Sequence, residues 1–428
     1  MPYSKRIFFT VSKCLPFLLL FKLAQAQSAN SGSPYSRFGL GDLQPFNQVY
    51  QRGMGGIALG GFDPLQLNIA NPAGLAGLRL TTFEFAAAGT VLNLQSTTQQ
   101  QASSNFNLNY FAFGFPISQK WATAIGFIPF TNTNYAINTR VDSSFSSWNE
   151  YYNGMGGINR VFWSHGFSIN ERWHIGATAN FLFGTLNQER RIEFADSLNT
   201  FNLRVQDQVR ISDANFQLGV QYRTTLANGN KLNWGLVAEL PVALNASSNF
   251  IADRFTYAGS NLVVRDTVSR IPESKGSIQL PLAISVGGQY EIGSRWLYGM
   301  DVRWQDWSKY RYFNNNDSLK SSLQFAGGLQ FRPNPLAVAK SDYLKTVAYR
   351  AGFRYQNSFL QLRDQSIDEI GITLGASFPI RRSNAGVHLA YETGLRGTTR
   401  NGLIREQYHR IALSFTLNDR WFIKRKYD

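Results

Sequence analysis

The side chains best able to do chemistry in this 428-residue sequence are few and separated. The four histidines, His165, His174, His388 and His409, lie on different segments. None has a second histidine at metal-ligand spacing, and none has a serine two residues away with which to share a strand face. No Gly-x-Ser-x-Gly elbow exists, and the single cysteine, Cys14, sits near the N-terminus ahead of an apolar run. We therefore expect no enzyme, no cofactor and no metal. The charged residues tell more. Arg223, Glu239, Asp301, Arg303, Arg332, Arg350, Arg354, Glu392 and Arg410 all fall on the polar side of runs that alternate apolar and polar. A wall of this kind has two uses: its members neutralise one another, or its arginine forks hold a carboxylate or phosphate head group. Arg350 and Arg354, on one face of one strand, are the first candidates for the second use.

The elements that carry these residues are strands. Fourteen candidates of about 10 to 18 residues run from Leu80 to Leu417, long enough for a tilted strand of roughly 9–11 residues to cross a bilayer. The ninth sets Trp296, Tyr298, Met300, Val302 and Trp304 against Gly299, Asp301, Arg303 and Gln305. Connections such as Ser118–Lys120, Asn170–Arg172 and Gly293–Arg295 are short. They alternate with longer ones, Gln95–Asn105, Thr133–Gly156, Asn187–Gln208, Asn245–Ser277 and Tyr310–Ser318, expected as external loops. Low charge, at 16%, and 14% aromatics fit the same reading. The fold class is all-β: a 14-stranded antiparallel transmembrane β-barrel with an N-terminal Gly-rich hatch.

Four segments follow: a signal peptide over 1–26, a lead-in and luminal hatch over 27–79, the barrel over 80–418, and a basic, aromatic tail over 419–428. An even strand count puts both termini in the periplasm. The formal charge of +15 falls to +11 when Lys5, Arg6, Lys13 and Lys22 leave with the signal, since 15 − 4 = 11. The remaining cations are dispersed, so membrane lipids and lipopolysaccharide, or an anionic cargo, are expected as partners and nucleic acid is not.

The hatch centres on Arg52–Gly77, where no helical or strand period runs. Asn71 and Pro72 are expected to pin its turn. Arg52, the charge nearest the glycines, is expected to anchor it to Asp301 or Glu392. Pro129 lies inside the third strand candidate, where a missing amide either opens the sheet or ends the strand.

Asn71-Pro72-Ala73-Gly74-Leu75, the opening Ser33–Gly41 and the ending Trp421–Tyr427, taken with fourteen strands, resemble the FadL-like family of outer-membrane transporters of long-chain fatty acids and hydrophobic compounds, in its Bacteroidota form. The resemblance implies a hatch in the lumen, an apolar ligand, and lateral exit through the wall, for which Pro129 becomes the gate candidate. The function expected is passive passage or binding of hydrophobic small molecules. The alternative is a non-enzymatic scaffold subunit of an outer-membrane secretion or assembly complex with envelope protein partners, since some relatives act in that way.

Overall fold

The computed structural model describes residues 32–143, 146–194, 200–337 and 339–421. The expected signal peptide, the start of the lead-in and most of the basic tail lie outside these residues. The strands are β1 (Asp42–Leu43), β2 (Thr81–Gln95), β3 (Gln100–Pro116), β4 (Trp121–Asp142), β5 (Ser147–Ser168), β6 (Trp173–Phe194) and β7 (Asn202–Thr225). They continue as β8 (Lys231–Glu239), β9 (Val242–Ala258), β10 (Asn261–Leu280), β11 (Ala283–Ile292), β12 (Trp296–Gln305), β13 (Arg311–Tyr312) and β14 (Ser322–Phe331). The last are β15 (Ala348–Asn357), β16 (Gln361–Leu362), β17 (Gln365–Ser366), β18 (Glu369–Pro379), β19 (Gly386–Gly397) and β20 (Arg405–Asp419).

The wall is a closed antiparallel ring of fourteen staves. β8 and β9 form one stave interrupted at Leu240-Pro241, and β10 and β11 form its neighbour interrupted at Pro281-Leu282. The two breaks lie side by side, because proline has no amide to give the ladder. β2 closes the ring against β20 from Thr81↔Asp419 to Gln95↔Arg405.

The staves differ greatly in height. β4, β5, β6 and β7 have 22, 22, 22 and 24 residues, whereas β12, β14 and β15 have 10 each. Here the expected loops are corrected. Much of Gln95–Asn105, Thr133–Gly156, Asn187–Gln208 and Asn245–Ser277 is paired strand, extending the wall into projecting hairpins. Both faces of such a hairpin meet water, so the apolar/polar alternation fades while backbone pairing continues. We call this end the hairpin rim and the opposite end the short-turn rim.

Between the rims the outward face is apolar. On β18, Ile370, Ile372 and Leu374 are 54%, 62% and 54% exposed while the inward Gly371 and Thr373 are buried. Phe83, Phe85, Trp163, Phe181, Phe216, Leu236, Met300 and Phe353 continue the belt around the ring. Water tolerates no such continuous surface, and a bilayer solvates it.

The lumen is occupied near both rims. Toward the short turns, residues 42–78 fill it: Val49, Leu67, Ile69, Leu75 and Leu78 pack against Tyr110, Ala112, Ala124, Ile128 and Phe162 of the wall. Asn71 caps the 3-10 turn Pro72–Gly77 by accepting from the Ala73 amide at 3.1 Å and donates to the Leu59 carbonyl at 2.8 Å. Wall glycines make room for this turn. A Cβ on Gly219 would lie 2.3 Å from Asn71 Oδ1, and one on Gly176 2.4 Å from the Pro72 carbonyl carbon. Toward the hairpin rim a second apolar cluster forms from Tyr35, Leu40, Trp307, Tyr310, Phe359 and Leu360 against Leu182, Ile211 and Ile278.

Candidate functional site

Between the two apolar clusters lies a chamber of about 1010 Å³. Its charged lining consists of six arginines, Arg52, Arg160, Arg303, Arg354, Arg396 and Arg410, and six carboxylates, Asp42, Glu239, Asp301, Glu369, Glu392 and Glu406. The chamber is charge-balanced, and the balance is built from contacts. Arg354 Nη2 bridges Glu369 and Glu392 at 2.6 Å each, and Arg410 approaches the same two carboxylates at 3.4 and 3.5 Å. Arg303 donates to Glu239 at 2.5 Å. Arg396 holds Asp42 at 2.8 Å and lies 3.8 Å from Glu406, which also accepts from Ser33 Oγ. Among the described residues Arg160 has no carboxylate partner within 4 Å, and it lies against the rings of Phe46 and Phe130, 4.2 and 4.6 Å from their centroids.

Asp301 accepts from the amides of Ala58 and Leu59 at 2.7 and 3.1 Å, tying the luminal segment to the wall. Arg52 does not reach it. Its guanidinium donates to Asn47 Oδ1 at 3.1 Å, the Pro45 carbonyl at 3.2 Å and Asn109 Oδ1 at 3.3 Å, so the expected anchor to Asp301 or Glu392 is replaced by amides. The reason is local: the turn that positions Arg52 folds its side chain back over its own chain.

Between β3 and β4 the wall of the chamber has a weak seam. β3 and β4 pair only from Pro116↔Ala122 to Phe111↔Phe127, although β3 continues to Gln100 and β4 to Asp142. β4 stays paired to β5 on its other side, with a register shift at Pro129 to Thr131. Both lips of the seam face the chamber, Asn105, Asn107 and Leu108 on one side, Phe127, Pro129 and Phe130 on the other. The backbone groups of β4 left free by β3 are partly taken by β1, with Asp42↔Asn132 and Leu43↔Thr131, and by the Gln44 amide on the Phe130 carbonyl at 2.9 Å.

Arg223, Arg332 and Arg350 are elsewhere. They line a second cavity of about 480 Å³ at the short-turn rim, on the far side of the luminal segment. Arg350 donates to Ser377 and lies 5.5 Å from the Tyr50 ring centroid. Arg350 and Arg354 share a strand, yet four residues at about 3.3 Å each put them some 13 Å apart, on opposite sides of the filling. They form no joint site. Asp63, in the luminal segment, also lines this second cavity, and desolvation pushes its carboxyl up against the pull of the Leu65 amide.

Several residues of the chamber went unremarked in the sequence. Glu369 stands two positions before the inward Gly371 and so follows from the same alternation. Arg396 and Glu406 are direct cross-strand neighbours in the β19/β20 ladder, a register that sequence alone does not display. The same applies to Ser377 and His388, whose side chains meet at 2.6 Å. His388 also contacts Thr416 Oγ1 at 3.0 Å, and the pair borders neither cavity. Its hydrogen bonds are spent on the wall.

Many solved structures share this fold. A FadL homologue of Pseudomonas aeruginosa has a TM-score of 0.61 at 12% identity, covering 88% of this chain and 99% of its own. The toluene transporter TbuX of Ralstonia pickettii scores 0.58 at 15%, covering 88% and 99%. The toluene transporter TodX of P. putida scores 0.58 at 13%, covering 89% and 100%. The barrel is FadL-like in fold, with fourteen staves and matching length. No curated protein matches the chain. A family model described as BamG matches residues 5–428, nearly the whole sequence, and the chain belongs to the BamG family.

Proposed function

We propose that this protein is an outer-membrane barrel that takes an uncharged, largely apolar small molecule into its chamber and releases it sideways through the β3/β4 seam. The observation that carries this is the interrupted ladder, with Pro129 on its lip and the chamber behind it. The charge balance of the chamber supports a neutral cargo, since a wall of satisfied ion pairs has little to offer a head group. Phe127, Phe130, Leu92, Val237 and Leu280 supply apolar lining beside them. Two proteins that share the fold are toluene transporters, which accords with this class of cargo.

In this reading the short-turn rim faces the periplasm and the hairpins face outward. The seam begins six residues above the start of β4, about 20 Å along the strand and about 15 Å above that rim at the usual tilt. It therefore opens at the level of the outer leaflet. β1 lies across it as a removable cover, with Pro129 as the gate residue and Asn71 and Pro72 holding the hatch beneath.

The test uses a cysteine pair in a mature chain that otherwise has none. Asp42→Cys with Asn132→Cys places two thiols on directly paired residues, a spacing a disulfide accepts. Oxidation should stop delivery of an apolar fluorescent probe to the outer leaflet of proteoliposomes, and reduction should restore it. Delivery that ignores the disulfide overturns the gate.

A second reading, a non-enzymatic subunit of an envelope secretion or assembly complex, is favoured by Leu336 and Leu344. These are 84% and 64% exposed in the long connection between β14 and β15, outside the apolar belt at the short-turn rim. Native mass spectrometry of the protein drawn from its own membrane separates the two. An extractable apolar molecule on a lone barrel supports the conduit, and a stoichiometric protein partner with no such molecule supports the subunit.

A further inference from the structure

The second cavity differs from the chamber in one decisive respect. Its lining carries six cations, Arg79, Arg223, Lys231, Arg295, Arg332 and Arg350, and two carboxylates, Asp63 and Glu291. Among the described residues, only Lys231 makes an ion pair there, with Glu291 at 3.7 Å. The five arginines have none. Arg79 donates to the carbonyls of Ala76 and Leu78, at 2.9 and 3.0 Å. Arg223 rests 3.8 Å from the Phe62 ring centroid and donates to Asn233. Arg350 is 95% buried with a hydroxyl as its hydrogen-bond partner, and Arg332 Nε is buried with no partner among the described residues.

Six cations against two carboxylates leave this basin with an excess of four positive charges, which is costly. The cations repel one another, and for the buried Arg350, which no carboxylate contacts among the described residues, desolvation adds a penalty. Neighbouring carboxylates could have relieved this, as they do in the chamber some 13 Å away along the same strand. An arrangement of unpaired forks at the mouth of a water-facing basin is complementary to carboxylates brought from outside.

The size and the remaining lining narrow the chemistry. About 480 Å³ exceeds what a single inorganic anion needs and suits several side chains. Tyr50, Phe62 and Pro64 stand between the cations and offer apolar contact. The belt and the wall separate the basin from lipid. We infer that this basin is a docking site for an acidic polypeptide segment, carrying carboxylates interspersed with apolar side chains, supplied by a protein on the short-turn side of the membrane. The placement of that side in the periplasm rests on the orientation proposed above, and the binding itself does not depend on any cargo passing through the chamber.

The experiment is fluorescence anisotropy with the full-length protein in nanodiscs. The probe is a labelled twelve-residue peptide alternating Glu with Leu and Gly, compared with the same peptide carrying Lys for Glu. The acidic peptide should bind, weaken at least tenfold between 50 and 500 mM salt, about the change expected when screening shortens from above 10 Å to a few ångströms, and the basic peptide should not bind. Arg79→Gln with Arg295→Gln and Arg332→Gln should lower affinity at least tenfold, while Glu291→Gln should raise it. The Glu291 variant tests the inference even where the triple variant fails to fold. Equal binding of both peptides, insensitivity to Glu291→Gln, or displacement by pyrophosphate at concentrations equal to the peptide would overturn the assignment, the last by reducing the site to a small-anion trap.

Discussion

The two cavities are lined by the same residue type in opposite states. In the chamber, six arginines face six carboxylates; in the basin, six cations face two. β15 feeds both, with Arg354 doubly bridged on one side and Arg350 in contact with a hydroxyl on the other. Inward polarity in a barrel is therefore not one property. Where the chain encloses a chamber between two apolar clusters, the charges cancel locally. Where it meets water at a rim, a positive surplus remains, and the docking site proposed above draws on that surplus.

The sharpest way to break the contrast is to unpair the chamber. Arg354→Met leaves Glu369 and Glu392 facing each other with the longer contacts to Arg410 and the Tyr408 hydroxyl on Glu392, and should cost about 3–5 kcal/mol of stability. Arg332→Met in the basin should be neutral or slightly stabilising, because it removes an unpaired charge. Urea unfolding midpoints of the two variants in lipid vesicles measure the difference, and equal losses would erase the contrast. Gly219→Val attacks the filling that separates the two spaces. The new side chain collides with Asn71 and Pro72, so we expect a loss of about 1–3 kcal/mol and a rise in single-channel conductance as the two cavities join. Pro129→Ala restores an amide at the lip of the seam and should slow probe delivery a few-fold, read in the proteoliposome assay, without changing peptide binding in the basin. The smallest effect should come from Asp42→Asn. It weakens the contact to Arg396 by about 1 kcal/mol and should speed limited proteolysis within residues 38–44.

Much of the fold was legible because a bilayer imposes a strict alternation. Trp296, Tyr298, Met300 and Trp304 point outward and Asp301 and Arg303 inward, as their spacing requires. The hairpins were misread as loops for the complementary reason: beyond the membrane no apolar face is demanded, and polar runs such as Gln100–Asn105 pair without announcing it. For the site, alternation identified which charges enter the lumen and left their partners open. Arg52 reaches Asn47 and Asn109 because of the turn in its own segment, and Asp301 meets amides of residues 58 and 59 because the filling folds that way. Neither contact has a period. The separation of Arg350 from Arg354 depended on where the filling lies along β15, which inward polarity does not encode.

The luminal segment also constrains the order of events during assembly. Its turn is held by Gly176 and Gly219 of β6 and β7, its amides by Asp301 of β12, and its β1 by β4, while Arg396 of β19 and Glu406 of β20 grip residues 33 and 42. Anchors thus come from nearly the whole circumference. Once β2 has zipped to β20 along fifteen residues, a segment so fastened has no wide mouth through which to be threaded. We expect the ring to be laid around it, like staves around a core, with the joint between β2 and β20 closing after the segment is seated. A chain that closes early would give a barrel of correct shape and empty bore, and the joint would have to reopen before it could mature.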